Sequence, residues 1–271
     1  MPYTDFHNHL IPGVDDGARD AGFSAGALRA FRQVGVSQVI VTPHFNGSLT
    51  ATPSRFAERL AELDAGWDVL RGVVDADAAA EGARLRVERG VEVMLDIPAP
   101  DLSDPRLRLA GTRYVLVEFP GLQLPPVNAS VAVELLRRGG WTPVIAHPER
   151  YRNLESLIVL QAFVVAGGLL QVNAGSLVGE YGPDAQRFAQ QILGSGLASF
   201  VCSDYHARGE PATGRFARAL AESGYSEQAE LLLGVNPARL LADEPPVAVP
   251  PMAMMPAPRA AVPWWKRMLG G

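Results

Sequence analysis

Short apolar runs alternate with segments of helical periodicity along most of this chain, and this alternation constrains the fold more than any other feature. Seven runs have the length and the β-branched or apolar composition of strands: Tyr3–His7, Gln38–Thr42, Leu85–Val93, Tyr114–Phe119, Thr142–Ala146, Leu169–Val172 and Ala198–Cys202. Five segments between them carry apolar residues at helical spacing: Phe23–Val34, Arg55–Leu70, Val131–Arg138, Leu154–Ala166 and Ala185–Leu193. Repeated strand–helix–strand order implies right-handed crossovers and a parallel sheet. We therefore predict an α/β fold, while the length alone leaves both a closed barrel and a doubly wound sheet open.

The net charge and the cysteine content exclude some classes of protein. The 271 residues carry a net charge of −5, which argues against a nucleic-acid-binding protein that relies on a basic surface. The single cysteine excludes an intramolecular disulfide and suits the cytoplasm. The sequence has no apolar run of about 18 residues, and acidic Asp5 interrupts any signal-peptide pattern near the start. We expect a cytoplasmic globular protein.

The C-terminal segment differs in composition from the rest of the chain. Residues 245–271 contain seven prolines, four of the six methionines and no acidic residue. Because proline at this density prevents regular helix or strand, we predict a folded domain over residues 1–244 and a disordered linker over Pro245–Pro263. The segment ends in Trp264-Trp265-Lys266-Arg267, and three interpretations stay open: peripheral contact with the inner membrane, docking on a partner, or a frayed tail without a role.

All five histidines follow predicted strands. His7 and His9 form an H-x-H motif at the end of the first strand, and residues i and i+2 of extended backbone point to the same side. The other three follow the second, fifth and seventh strands: His44, His147 and His206. Carboxylates take matching places in the first loop and at the ends of the third and fourth strands: Asp16, Glu92 and Glu118. In parallel α/β folds these strand ends share one face, where ligands collect.

The two strand-end glutamates strengthen a metal-binding interpretation. Glu92 and Glu118 interrupt strongly apolar strands, and a buried unpaired carboxylate would cost several kcal/mol, so each needs a cation or a proton. A single histidine is more often structural than a ligand, but five at strand ends with acids between them predict a metal centre. Nitrogen and oxygen ligands without thiolates suit Mn, Zn or Fe.

These residues carry a family resemblance. Asp5-Phe6-His7-Asn8-His9-Leu10, followed by Pro12-Gly13-Val14-Asp15-Asp16-Gly17, resembles the opening of the PHP (polymerase and histidinol phosphatase) superfamily. Further matching segments occur in family order: Thr42-Pro43-His44, Gly90-Val91-Glu92, Leu116-Val117-Glu118-Phe119, Ile145-Ala146-His147-Pro148-Glu149-Arg150-Tyr151, Leu170-Gln171-Val172-Asn173 and Ser203-Asp204-Tyr205-His206. Within the superfamily, residues 3–243 are most similar to the bacterial capsular and exopolysaccharide metal-dependent protein-tyrosine phosphatases.

The resemblance implies a distorted seven-stranded (β/α)7 PHP-type barrel with three divalent metal ions. Manganese is the expected metal, and Zn, Fe or Co are alternatives. Matched residue by residue, the resemblance implies three sites, of which the first two share Glu92: His7, His9, Glu92 and Asp204; Glu92, Glu118 and His147; and Asp16, His44 and His206.

The resemblance also implies roles in catalysis. Asp204 takes part as a metal ligand in the catalytic centre, and Arg150 and Arg208 hold the phosphoryl oxygens, since a guanidinium can donate two parallel hydrogen bonds to phosphate. The sequence after His206 departs from the common family pattern, so the phosphate-binding role of Arg208 is less well supported than that of Arg150. Arg150 could instead form a salt bridge with Glu149. Two polar residues are candidates for orienting ligands or for satisfied positions in the core: Asp5 and Asn173.

The implied function is hydrolysis of phosphotyrosine, on the tail of a membrane-anchored tyrosine kinase that regulates capsular or exopolysaccharide synthesis. Two alternatives stay open: a PHP-type phosphoesterase acting on a small molecule such as histidinol phosphate, and a non-catalytic phosphotyrosine-binding regulator.

Two other enzyme classes fit the residues less well. Cys202 and Arg208 match the C-x5-R spacing of thiolate-dependent tyrosine phosphatases, but Asp204 between them would repel phosphate. An amidohydrolase in which a lysine bridges two metals is excluded, because the one lysine, Lys266, lies in the tail, whereas a mononuclear amidohydrolase stays open.

Overall fold

Parallel strands form the centre of the molecule. The computed structural model describes residues 3–81, 85–125, 129–154 and 156–253. Within these ranges the chain forms nine short strands: β1 (Tyr3–Asp5), β2 (Val36–Val41), β3 (His44–Asn46), β4 (Arg86–Arg89), β5 (Glu92–Met94), β6 (Tyr114–Glu118), β7 (Thr142–Ala146), β8 (Leu169–Asn173) and β9 (Phe200–Cys202). Every predicted strand coincides with at least one of these, so the α/β prediction is confirmed.

Helices connect most of the strands. In the described residues they are α1 (Ala21–Gln33), α2 (Pro53–Glu81), α3 (Ala129–Arg138), α4 (Leu157–Val165), α5 (Ala174–Leu177), α6 (Pro183–Gly194), α7 (Ala212–Glu222), α8 (Ser226–Glu230) and α9 (Asn236–Leu241). The predicted helix Arg55–Leu70 is part of α2, which is longer at both ends. The C-terminal extension is rich in alanine, which has high helix propensity but gives no apolar periodicity from which a helix could be predicted. Three helices after β9 were not predicted: α7, α8 and α9.

The strands pair in two parallel sheets, in the orders β1-β2-β4 and β3-β5-β6-β7-β8-β9. Two differences account for nine strands rather than seven: the third predicted strand is divided into β4 and β5, and β3 follows β2 beyond the predicted end of the second strand. The break at Thr42-Pro43 follows from proline, which has no N–H to donate to a neighbouring strand. The pairing register is nevertheless the same on both sides of the breaks, with Val41 opposite Arg89 and His44 opposite Glu92.

Hydrogen bonds also join the two ends of this strand array. The Asp204 N–H donates to the His7 carbonyl at 2.8 Å and the His9 N–H donates to the Tyr205 carbonyl at 2.9 Å. On the other side, the Thr42 N–H donates to the Asn8 carbonyl at 2.9 Å. The segment after β1 is therefore held between the ends of β2 and β9, so the carboxyl ends of the strands surround one region.

A layer of buried apolar side chains lies directly before this region in the strands. Phe6 and Phe200 contact edge to face with ring centroids 5.0 Å apart, and both belong to a cluster with side chains from β2, β6 and β7. Phe6 and Ala146, both fully buried, immediately precede His7 and His147. The tight apolar packing fixes the positions of these histidines.

The beginning of the proline-rich segment packs against the domain, so the linker prediction is wrong for Pro245–Ala253. Val249 and Met252 are buried in the main apolar core. The Val247 N–H donates to Asn236 Oδ1 at 2.7 Å, and Asn236 Nδ2 donates to the Val247 carbonyl at 2.9 Å. Proline prevents a regular element but not burial of the side chains beside it. The rest of the predicted linker and the Trp264–Arg267 segment lie outside the described residues.

In the described part of the chain, no helix combines the length and the apolar character needed to cross a bilayer.

Candidate metal centre

The structure brings all nine predicted ligand residues together at the carboxyl ends of the strands. Their nitrogen and oxygen atoms form four overlapping groups in which the atoms lie within 4.8 Å of one another: His9, Asp16, His44 and His206; His7, His9 and Asp204; His7, Glu92 and His147; and His44, Glu92 and Glu118. The overlap makes this one cluster.

The H-x-H motif converges on Asp204. The Nε2 atoms of His7 and His9 both lie 3.3 Å from Asp204 Oδ1. β1 ends at Asp5, earlier than predicted, yet both histidines still point to the same side. Their Nδ1 atoms are held from behind, His7 by Gln171 Oε1 at 2.8 Å and His9 by Asp15 Oδ2 at 2.8 Å. These contacts leave both Nε2 atoms facing the cluster.

Glu92 lies at the centre of the cluster. Its Oε1 is 3.0 Å from His147 Nε2 and 3.3 Å from His7 Nε2, and its Oε2 is 3.0 Å from His44 Nδ1. Glu118, at the end of β6, lies 3.7 Å from His44 Nδ1. Both carboxylate oxygens of Glu92 thus lie beside imidazole nitrogens, so either oxygen would be available to a cation held with those histidines.

The group that contains Asp16, His44 and His206 lies at the solvent-facing rim of the cluster. Asp16 Oδ1 is 3.5 Å from His44 Nε2 and 3.3 Å from His206 Nε2. The loop that carries Asp16 packs directly on His9, and a Cβ atom at Gly17 would lie 2.1 Å from the His9 carbonyl oxygen. Only glycine allows this approach.

The acids and bases of the cluster stabilise each other's charged forms. Burial alone would lower the pKa of His7, but the negative charges of Glu92 and Asp204 outweigh it and raise that pKa to about 9. Burial alone would raise the pKa values of Glu92 and Asp204, but the surrounding histidines hold both well below the usual range. Glu118 and His206 are exceptions: burial and the charge of Glu92 raise the pKa of Glu118, and burial and the charge of His9 lower the pKa of His206.

The donor set fits divalent cations. Three buried atoms that face the cluster make no hydrogen bond within the described residues: His7 Nε2, His9 Nε2 and Glu92 Oε2. Buried polar atoms are nearly always satisfied, so atoms left without a partner at a cluster of imidazoles and carboxylates fit the role of cation ligands. Nitrogen and oxygen donors without sulfur suit Mn, Zn or Fe.

Two of the clustered residues have left-handed backbone conformations. His147 has φ 33° and Asp204 has φ 54°. Such conformations are unfavourable for residues with a side chain, and they occur mainly where the surrounding structure fixes a functional group. Each one turns the chain sharply just after its strand, which directs the side chain into the cluster.

Arg150 and Arg208 line one cleft of about 340 Å³ beside the cluster, together with Asp204 and His206. Arg150 Nη1 donates to Asp204 Oδ2 at 2.5 Å, and Arg208 Nη2 donates to the Asp16 carbonyl at 3.0 Å. The alternative salt bridge from Arg150 to Glu149 does not form, because Glu149 is buried and accepts from Ser176 and Asn173 instead.

Sequence reasoning missed three residues around the cluster. Asp15 and Gln171 orient His9 and His7, and Tyr181 places its ring 4.4 Å from the Arg150 guanidinium. Of these, only Asp15 had a local signal, as the neighbour of Asp16. Both candidate orienting residues contact the site: Asn173 Nδ2 donates to Asp204 Oδ2 at 2.9 Å, and Asp5 accepts from the His7 N–H at 3.2 Å.

Cys202 has the properties of an inert thiol. It is fully buried, and burial raises its pKa well above the usual range. A nucleophilic cysteine needs an exposed thiolate, so the thiolate mechanism has no support here.

Known proteins resemble this chain over most of its length. Residues 3–242 match the family model described as capsular polysaccharide synthesis, CpsB/CapC. The tyrosine-protein phosphatase YwqE of Bacillus subtilis is 31% identical over 207 residues, which cover 74% of this chain and 76% of that protein. The putative tyrosine-protein phosphatase CapC of Staphylococcus aureus is 26% identical over 204 residues, covering 75% and 76%.

Solved structures agree with these sequence matches. A structure from a report on YwqE of Bacillus subtilis and CpsB of Streptococcus pneumoniae, described there as unique metal-dependent tyrosine phosphatases, superimposes with a TM-score of 0.72 at 30% identity. The superposition covers 92% of this chain and 98% of that one. A variant of organophosphorus hydrolase from Deinococcus radiodurans has a TM-score of 0.51 at 17% identity, a likeness in fold alone.

Proposed function

This chain belongs to the CpsB/CapC family of capsular polysaccharide synthesis, and on that basis we propose that it is a metal-dependent protein-tyrosine phosphatase. The single observation that carries the proposal is the convergence of five histidines and four carboxylates on one strand-end cluster beside two arginines. Such a cluster holds cations, and the arginines beside it suit a phosphate dianion.

We propose that the strand segments act as the seven strands of one distorted barrel. The unchanged register across the interruptions supports counting β2 with β3 and β4 with β5. The hydrogen bonds from Asp204 to His7 and from His9 to Tyr205 support closure between the last and first strands.

We propose that the same cluster holds three divalent metal ions, with manganese as the expected metal. The proposed ligand sets are His7, His9, Glu92 and Asp204; Glu92, Glu118 and His147; and Asp16, His44 and His206. The four geometric groups contain all these residues, and Glu92 is central to them.

The residues at the cluster and around it each have a task in the proposed reaction. Divalent ions bound here supply positive charge that neutralises a phosphate monoester and makes water acidic enough to yield a nucleophile near neutral pH. Arg150 and Arg208 hold the phosphoryl oxygens, and both side chains line the cleft beside the cluster. Asp204 keeps Arg150 in place by their ion pair. Gln171 and Asp15 keep the imidazoles of His7 and His9 oriented.

The proposed substrate is the phosphotyrosine tail of a membrane-anchored tyrosine kinase that regulates capsular or exopolysaccharide synthesis. Membership of the family supports the link to capsule synthesis. The cytoplasmic location and the membrane or partner contact of Trp264–Arg267 stay predictions.

The test is hydrolysis of para-nitrophenyl phosphate and a phosphotyrosine peptide after chelation and after adding back Mn, Zn, Fe, Co or Mg. Histidinol phosphate serves as the competing substrate, and Cys202→Ser is assayed in parallel. We expect activity on phosphotyrosine that is lost with chelator, is restored by metal and is indifferent to Cys202→Ser. Activity that survives chelation and disappears in Cys202→Ser would overturn the proposal, as would turnover of histidinol phosphate alone.

A further inference from the structure

A second depression continues from the phosphate cleft. It has a volume of about 680 Å³ and is separate from the metal cluster, and Arg150 and Tyr181 line both spaces. Tyr181 is held at this boundary because its ring lies against Gly175, where an added Cβ would approach Tyr181 Cε2 to 2.8 Å. A phosphotyrosine whose phosphate meets Arg150 would therefore place its neighbouring residues in the second depression. We call this depression the flanking groove.

The floor of the flanking groove suits a peptide rather than a small molecule. Leu122, Tyr151, Leu154 and Phe188 line it with apolar surface. Its volume is about twice that of the phosphate cleft, and both fall within the range of about 300–1,000 Å³ that is typical of ligand sites. A group as small as phenyl phosphate, held at Arg150, would leave the groove empty.

The charges along the groove favour an acidic segment. Arg152 lines it, and no ion pair joins Arg152 to any residue within the described ranges. Arg187 also lines it and is paired with Asp184 at 2.6 Å across an exposed surface. Such an exposed pair is worth little and can exchange partners. Arg152, which has no ion-pair partner among the described residues, and the loosely paired Arg187 thus line the space that a bound peptide would occupy.

We propose that the flanking groove binds acidic residues next to the phosphotyrosine of a peptide substrate, with Arg152 as the main recognition residue and Arg187 as the second. This inference rests on the proposed phosphatase function and adds a substrate class to it. Specificity then has two separate parts. Phosphate and ring are bound at Arg150 and Tyr181, and sequence context is recognised by Arg152 and Arg187.

The experiment compares the manganese-loaded full chain on three phosphotyrosine peptides with glutamate, alanine or lysine flanks, and on para-nitrophenyl phosphate, which has no flank. Arg152→Gln removes the positive charge of Arg152, and Asp184→Asn releases Arg187 from its partner. The matched controls are Arg71→Gln and Asp68→Asn on α2. That pair has the same i,i+3 spacing and a similar exposure, but it lies outside both depressions.

We expect Arg152→Gln to lower kcat/KM for the glutamate-flanked peptide about threefold to tenfold, mainly through KM. Asp184→Asn should raise it, because a freed Arg187 attracts the acidic flank. Turnover of para-nitrophenyl phosphate should stay unchanged in every variant, and the preference for glutamate flanks should shrink as salt is added.

Equal kcat/KM values for the three peptides in the unaltered enzyme would overturn the groove proposal alone, because phosphotyrosine hydrolysis would still stand. A loss in Arg152→Gln that is the same for every peptide and for para-nitrophenyl phosphate would overturn it too. Failure of the unaltered enzyme to hydrolyse any phosphotyrosine peptide, with small phosphoesters still turned over, would overturn the proposed function together with the groove.

Discussion

At the residue scale, the proposed ligands depend on neighbours that do not themselves face the cations. Gln171 and Asp15 fix the ring orientation of His7 and His9 through their Nδ1 atoms. A free imidazole would rotate about its side-chain bonds and face the cluster only part of the time. The contacts behind the rings therefore reduce the entropy lost when a cation binds.

Asp15→Asn tests this arrangement. The neutral amide is a weaker acceptor for the His9 Nδ1–H, so we expect metal affinity to fall about 10- to 100-fold with the fold intact. Metal titration by calorimetry measures the affinity, and thermal unfolding of the metal-free chain checks the fold. Asp68→Asn, an exposed acid on α2, is the control. Unchanged affinity in Asp15→Asn would contradict the orienting role.

Tyr181 gives a second prediction at this scale. Its ring lies against the Arg150 guanidinium, a contact worth about 0.5–2 kcal/mol. Tyr181→Ala should therefore loosen Arg150 and raise KM for aryl phosphates about twofold to tenfold. Tyr181→Phe keeps the ring face and should behave like the unaltered enzyme. Steady-state kinetics on para-nitrophenyl phosphate separate the two, and an equal loss in both variants would point to the hydroxyl instead.

At the scale of elements, the interrupted strands deliver the ligands. β3 begins at His44 and β5 begins at Glu92, directly after the breaks, and these two residues lie opposite each other in the register. Parallel pairing thus places an imidazole beside the central carboxylate without any loop in between. The ends of β7 and β9 achieve the same result differently, by the left-handed turns at His147 and Asp204.

The attachment of the proline-rich segment is also a property of elements. Asn236 at the start of α9 is fully buried, and its amide bonds the Ser199 carbonyl and both backbone groups of Val247. Asn236→Ala removes three hydrogen bonds of about 1 kcal/mol each, so the free energy of unfolding should fall by about 3 kcal/mol. Urea denaturation measures the change. Aryl-phosphate kinetics of the folded variant should stay normal, and an unaltered denaturation midpoint would contradict the proposed attachment.

At the scale of the whole molecule, the packed part of the chain extends beyond residue 244. Val249 and Met252 are 4% and 3% exposed, and burial of such side chains stabilises a fold by about 1.5–3 kcal/mol each. The proline-rich segment thus completes the apolar core next to α6, where the Met252 N–H faces the Leu193 carbonyl.

Two truncations test where the fold ends. Removal of everything after Glu244 should lower the free energy of unfolding by about 3 kcal/mol or more, because two buried side chains are lost. Removal of everything after Ala253 keeps both buried side chains and should therefore give a more stable protein than removal after Glu244. Chemical denaturation of both proteins beside the full chain provides the measurement. Equal stability of the two truncated proteins would show that the segment adds nothing.

Much of this architecture follows from local pattern. Apolar runs predicted the region of every described strand except β3, and the position of the histidines at the ends of these runs predicted a shared strand-end face. The interruptions at Pro43 and Gly90 were not predicted, because an apolar run does not reveal where neighbouring strands stop exchanging hydrogen bonds. The proline-rich segment was misjudged over Pro245–Ala253, since composition predicts the lack of regular structure but not the burial of Val249 and Met252.

The sequence by itself determined which residue types stand at the strand ends, and therefore the class of chemistry. Only the tertiary structure decided which neighbours complete the site. Gln171 meets His7 across 164 residues of chain, and Tyr181 meets Arg150 through a loop after β8. Such contacts depend on how far and at what angle two distant strands or loops lie from each other. That geometry is fixed by packing of the whole strand array, which no local pattern encodes.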